Sequence, residues 1–350
     1  MRSVTVRACL FTVFSFAAAF LWPFKPDLVP YMPFTPVVWF SCIGMIALSV
    51  SRFYGVRHAV PAPELYIFLY TMVLVLFINH VPYPVRTVDL RLLSFDYNFG
   101  YAGMIIGKWY RRSAVFGAIL GLTYNSLMLA ITAIYLALRG IQLRRRFVVA
   151  VILGGTTILP LYLICPGAGP RNFLGPGFPW WVPDLSGPLA SVAMPPMYPA
   201  PSAINAMPSG HFAWTLLLFW FARQYSSKGA QIAAGIYAAL TCLATLGTGE
   251  HYVVDLMISF PFAACIWALA HRQWRRSGLA LVVVLGWLVA LREGWVLALP
   301  PLAVWLLTGI TVGTLSCYIV GRNLPVSAAA DADPPGPRVR PTPELHNSYT

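Results

Sequence analysis

Pro208-Ser209-Gly210-His211 opens one apolar stretch of this chain, and Glu250-His251-Tyr252-Val253-Val254-Asp255 opens another further on. Histidine titrates near neutrality and serves as a nucleophile or as a general acid or base. Residues four apart on a helix share a face, so Asp255 is expected beside His251. A carboxylate hydrogen-bonded to one ring nitrogen would fix the tautomer and leave the other nitrogen free to attack. His211, arriving on a neighbouring helix, is then placed to give a proton to a leaving oxygen. The whole chain has 6 histidines and 11 acidic residues. Spending three of them at hydrocarbon edges is costly unless they are used.

Pro208-Ser209-Gly210 adds an anion cradle. A proline near the first turn, a hydroxyl and an unobstructed glycine amide at a helix N-terminus suit a phosphate. Arg171, in Pro170-Arg171-Asn172, would complete the clamp with its planar, permanently charged fork. Ser209, Gly210 and Arg171 are therefore the candidate phosphate-binding residues, and His251, His211 and Asp255 the candidate catalytic ones. Phosphoryl transfer needs mainly positioning and charge stabilisation, which these groups offer. No third ligand with suitable spacing accompanies His251 and Asp255, so neither a metal nor another cofactor is expected.

The elements that must carry these residues are membrane helices. With 58% hydrophobic and 10% charged residues over 350 positions, the chain has too much apolar surface for a water-soluble domain. Its fold class is all-α, a polytopic transmembrane bundle. Windows long enough to cross a core of ~30 Å fall near 4–22, 36–51, 64–79, 113–138, 147–164, 210–225, 230–247, 252–270, 278–291 and 296–320. That is about ten spans. The organisation is N-terminal membrane helices over 1–80, an interfacial amphipathic segment over 81–112, a catalytic membrane core over 113–270 and C-terminal membrane helices over 271–324. Residues 325–350, rich in Ala, Pro, Asp and Ser, are expected to be a disordered cytoplasmic tail.

Most of the 24 lysines and arginines fall on one side if the N-terminus is inside, among them Arg144, Arg145, Arg146, Arg272, Arg275 and Arg276. By the positive-inside rule both termini are then cytoplasmic, and the segments leading into His211 and His251 share the extracytoplasmic face. The net charge of +13 thus sets topology, and nucleic acid is not an expected partner. Asp89 and Asp96, one heptad apart among Leu90, Leu92, Leu93 and Phe95, suit a helix lying at the interface. The Pro- and Gly-rich loop 165–209, with Trp180 and Trp181, is either a cap over an amphiphilic ligand or a plain surface loop with belt aromatics. Six cysteines without paired spacing read as small buried hydrophobes. His58, His80, His271 and His346 are not assigned to the site.

Pro208-Ser209-Gly210-His211 and His251-Tyr252-Val253-Val254-Asp255 resemble the second and third signature motifs of the type 2 phosphatidic acid phosphatase superfamily, over about residues 86–270. The resemblance implies a six-helix catalytic core. It also implies that His251 attacks phosphorus to form a phosphohistidine, that Asp255 orients it, and that His211 protonates the leaving group. Ser209 and Gly210 would hold phosphate oxygens. Two cations of the common pattern are missing: Ile164 stands seven before Arg171 where a lysine is usual, and Thr245 stands six before His251 where an arginine is usual. Asn172 also replaces the usual proline after the arginine. With Leu161-Tyr162-Leu163-Ile164-Cys165-Pro166, Glu250 and the Asp89/Asp96 segment, the chain looks more like the inositol phosphorylceramide synthase branch. That branch moves a phosphorylated alcohol between lipids.

The expectation is therefore an integral membrane phosphotransferase or phosphatase acting on lipid-linked phosphate, with lipid substrates in the bilayer and a lipid or alcohol acceptor. A lipid phosphomonoesterase acting on phosphatidic acid or a polyprenyl diphosphate is the second enzymatic reading. A proton-coupled transporter is the non-enzymatic one. Transporters tend to place charge mid-membrane on broken, repeated helices, whereas here the charge lies at helix ends.

Overall fold

The computed structural model describes residues 87–138, 141–182 and 205–314. The expected N-terminal helices, the centre of the 165–209 loop and the tail lie outside the described residues. Among those described the chain is all-helical, with eleven α-helices. They are α1 (Asp89–Tyr97), α2 (Ala102–Arg112), α3 (Ala114–Asn125), α4 (Leu127–Ala137), α5 (Ile141–Ile164), α6 (Pro170–Leu174), α7 (Gly210–Tyr225), α8 (Lys228–Gly247), α9 (Val253–Ala270), α10 (Trp274–Glu293) and α11 (Pro301–Gly309).

α9 is the axis of the bundle, and α10, α7, α5 and α1 pack around it. It is apolar all round, the pattern of a helix with no solvent face. Its membrane-length window is 83% buried, against 28% for α8 and 33% for α10. Ala263, Ala264 and Ala268 are buried along it. Small side chains let membrane helices approach closely, which matters where lipid removes the hydrophobic drive for helices to associate. α8 packs on α7, α2 and α3 and turns Ile232 and Ile236 outward. Its first turn is capped by Ser227, whose hydroxyl accepts from Ala230 N.

About ten spans are not supported. Four helices are long and apolar enough to cross a membrane, Gln142–Ile164, Lys228–Gly247, Val253–Ala270 and Trp274–Glu293, and a bent pair raises the number to five at most among the described residues. The expected windows 4–22, 36–51 and 64–79 lie outside those residues. The window 113–138 is two helices meeting at 62°, because the chain breaks at Ser126, whose hydroxyl turns back to the Thr123 carbonyl. The window 210–225 is one 16-residue helix, shorter than a full crossing. The window 296–320 is interrupted in its described part. Gly294 sits in the left-handed region at φ 80°, a 3₁₀ turn follows over Trp295–Ala298, and Pro300 precedes α11. A proline cannot continue the preceding helix.

Asp89 and Asp96 stand on α1, within the segment expected to lie at the interface. α1 is a short helix, but both carboxylates are buried under protein, 1% and 3% exposed, and face α9 and the loop before α6.

Candidate functional site

Two helix heads meet at one end of the bundle. Ser209 caps α7, its hydroxyl accepting from Phe212 N at 3.3 Å, the arrangement its residue type favours at an N-cap. One turn beyond Asp255 on α9, the Ser259 hydroxyl reaches the Ser209 carbonyl at 3.0 Å and the Asp255 carbonyl at 2.7 Å. Trp214 ties α7 to α5 by donating to the Val151 carbonyl. His211 and the loop bearing His251 are thereby held side by side, close enough for the two imidazoles to interact electrostatically.

His251 is 4% exposed. Its Nδ1 lies 2.8 Å from the Ala206 carbonyl oxygen and 3.4 Å from Asp255 Oδ2. A carbonyl oxygen only accepts, so Nδ1 carries the proton and the lone pair is on Nε2. Asp255 lies against the ring although His251 stands before the first residue of α9 and not on the helix, and the shorter bond belongs to Ala206. The Asp255 carboxylate also accepts from Tyr252 N at 2.8 Å, closing the first turn of α9. Its Oδ1 is buried with no hydrogen-bond partner among the described residues. Burial pushes the His251 imidazole down to about 4, the Ala206 carbonyl and the Glu250 charge pulling only partly the other way. The ring is therefore neutral at physiological pH.

Arg171 is carried by α6, and its Nη1 lies 3.4 Å from Glu250 Oε1. The backbones of the two loops are stitched as well, Arg171 N donating to the Gly249 carbonyl at 2.8 Å. Two glycines make that contact possible. Gly169, at φ 88°, lies against the Glu250 carbonyl, and Gly249, at φ 76°, lies against Phe178 and Arg171. Both occupy the left-handed region where a side chain is strained, and a Cβ on either would strike its neighbour. Burial raises the Glu250 carboxyl, and the Arg171 guanidinium opposes that shift.

All six sequence-designated residues converge on this end of the bundle, though not in equal roles. Ser209 is fully buried and its hydroxyl is engaged as the cap of α7. Gly210 is enclosed by Ile158, Trp214 and the Tyr162 hydroxyl. Thr245, at the position of a missing cation, is buried and turns its hydroxyl back to the Thr241 and Cys242 carbonyls. At the other, the Ile164 carbonyl accepts from Arg292 Nη1 at 3.0 Å.

Several participants are not apparent from the sequence. The Ala206 carbonyl has no side-chain signature. Tyr124 of α3 stacks on His211, with centroids 4.1 Å apart and planes inclined by 16°. Asp89 and Asp96 hold the loops. The Asp89 carboxylate accepts from Ala168 N, Gly169 N and the Tyr252 hydroxyl, at 2.9 to 3.0 Å. The Asp96 carboxylate accepts from Val253 N and Val254 N, first-turn amides of α9 that the helix itself leaves unpaired. Burial raises both carboxyls, and the donated N–H groups oppose it. The heptad spacing of the two acids was the available signal.

A neutral imidazole with one nitrogen anchored, a second imidazole beside it and an arginine across a helix N-terminus can bind a phosphate, attack it and protonate what leaves. A family model described as the PAP2 superfamily matches residues 90–269, just over half of the chain's 350 residues. No curated protein and no solved structure matches.

Proposed function

Because the chain belongs to the PAP2 superfamily of phosphatases and phosphotransferases, we propose that it transfers a phosphorylated group from a membrane lipid to an acceptor through a phosphohistidine on His251. The observation that carries this reading is the His251 ring itself, with Nδ1 held by the Ala206 carbonyl at 2.8 Å. In the first step Nε2 attacks phosphorus, the P–N bond forms, the ester P–O bond breaks, and His211, protonated once the phosphate anion lies beside it, gives that proton to the departing oxygen and is left neutral. In the second, the acceptor hydroxyl returns its proton to His211, its oxygen bonds phosphorus and the P–N bond breaks. Arg171 and the amides at the head of α7 hold the phosphate oxygens. Asp255 stabilises the charge that gathers on the His251 ring.

The cation balance favours a phosphodiester lipid over a phosphomonoester, as in the inositol phosphorylceramide synthase branch. Ile164 and Thr245 stand where two cations are usual, and Arg171 shares its charge with Glu250. A substrate bearing one negative charge suits such a site. The positive-inside pattern supports a reaction at the extracytoplasmic face.

The test is turnover of a panel of radiolabelled phospholipids by purified protein in nanodiscs, with and without an alcohol or ceramide-like acceptor. Label appearing on the acceptor supports transfer. Label released only as inorganic phosphate from a phosphomonoester supports the plain lipid phosphatase reading instead. No turnover of any lipid phosphate overturns both.

A further inference from the structure

Asp89 joins the two loops of the site through a single side chain. Its Oδ1 accepts from Gly169 N at 3.0 Å, two residues before Arg171, and from the Tyr252 hydroxyl at 2.9 Å, one residue after His251. Ala168 N donates to both carboxylate oxygens at 3.0 Å. Asp89 is 1% exposed and Tyr252 0%. These are donors, so they favour an acceptor-only carboxylate. The Thr87 side chain is a local partner, but the others are 79, 80 and 163 residues away in sequence, so local structure alone does not account for the cluster. The His251 loop is caught from the far side by Asp96, on the same helix, through Val253 N at 2.9 Å.

We propose that Asp89 is a positioning residue that sets the separation between Arg171, which holds the phosphate, and His251, which attacks it. The argument uses the lipid-phosphate reading only to name the reaction being positioned. A carboxylate bonding to both loops fixes their distance as two separate anchors cannot, and a displacement of about 1 Å at a reacting centre costs up to about a hundredfold in rate. Asp89 touches neither Arg171 nor His251 by its side chain, so its effect belongs in kcat. Loss of a phosphate contact would instead raise KM.

Two variants test this in the full chain in nanodiscs. Tyr252→Phe removes one bond of the clamp and keeps the buried ring, and Asp89→Asn keeps the shape and removes the charge. The expected result is a fall in kcat of about tenfold or more for Asp89→Asn and less for Tyr252→Phe, with KM within about twofold. The double variant should be no worse than Asp89→Asn alone, since both cut one link. Hydrogen exchange at 165–171 should quicken in Asp89→Asn. Unchanged kcat in Asp89→Asn, or a rise in KM that accounts for the loss, overturns the proposal. Unchanged exchange at 165–171 overturns the clamp itself. That last readout needs no substrate, so it still judges the proposal if the wild-type chain turns over no lipid phosphate.

Discussion

Two histidines at opposite ends of α9, His251 buried and His271 half-buried, are held in different ways. At the C-terminal end, His271 uses both ring nitrogens: Nδ1 lies 2.8 Å from the Trp267 carbonyl oxygen and Nε2 3.2 Å from the Tyr225 hydroxyl. Its ring lies against Trp267, with centroids 4.2 Å apart. At the other end, His251 has Nδ1 anchored at Ala206, and the ring makes no further hydrogen bond among the described residues. Burial lowers both imidazoles, against the pull of a backbone carbonyl in each case. Burial and aromatic company therefore do not make a histidine catalytic. What sets His251 apart is a nitrogen left for an electrophile, with a carboxylate at 3.4 Å and the Arg171 loop stitched against its own.

Exchanging the side chains should widen that contrast. His251→Ala should remove turnover by about 10⁴-fold or more, measured as initial rate in nanodiscs, since the nucleophile is gone. His211→Ala should cost about 10² to 10⁴-fold with a lipid alkoxide leaving group, and far less with a nitrophenolate that departs without a proton. Equal losses on both leaving groups would remove His211 from the proton-donor role. Arg171→Lys should raise KM by about tenfold with a smaller change in kcat, because a point charge replaces a bidentate fork.

The pH dependence sharpens the comparison further. With the His251 imidazole lowered to about 4, the acid limb of kcat/KM should fall near pH 4, well below the ordinary histidine range. For stability the sign follows from proton counting. Between about pH 6.5 and 4 the unfolded chain binds a proton at this position that the folded chain does not, so folding weakens as pH falls through that window and is unaffected above it. Thermal unfolding in detergent at pH 7 and pH 5, beside His251→Gln, measures the contribution. The smallest effect belongs to the other end: His271→Phe should leave kcat within about twofold, while unfolding registers the lost bond to Tyr225 at about 1 kcal/mol.

The sequence disclosed what depends on residue type and short spacing. His211, His251 and Asp255 were legible because a histidine at a helix head and an acid four residues on have few structural excuses in so apolar a chain. Arg171 was legible from its place between proline and asparagine in the segment that leads toward His211. Ala206 was not, because a backbone carbonyl carries no residue identity. Tyr124 was not, because its stacking partner is far along the chain. Asp89 and Asp96 were noticed and assigned to the interface, since their spacing specifies a face but not what covers it. Mean hydropathy also ran across the breaks at Ser126, Gly294 and Pro300, where capping and backbone conformation end a helix without lowering its apolar content.

The central claim is the covalent step, and trapping it is the most direct test. Purified protein mixed with phosphorus-labelled lipid and quenched in base within milliseconds to seconds should carry label on His251, stable to alkali and lost in acid, and absent from His251→Ala. Steady turnover with no label on His251, together with activity retained in His251→Ala, would contradict the account.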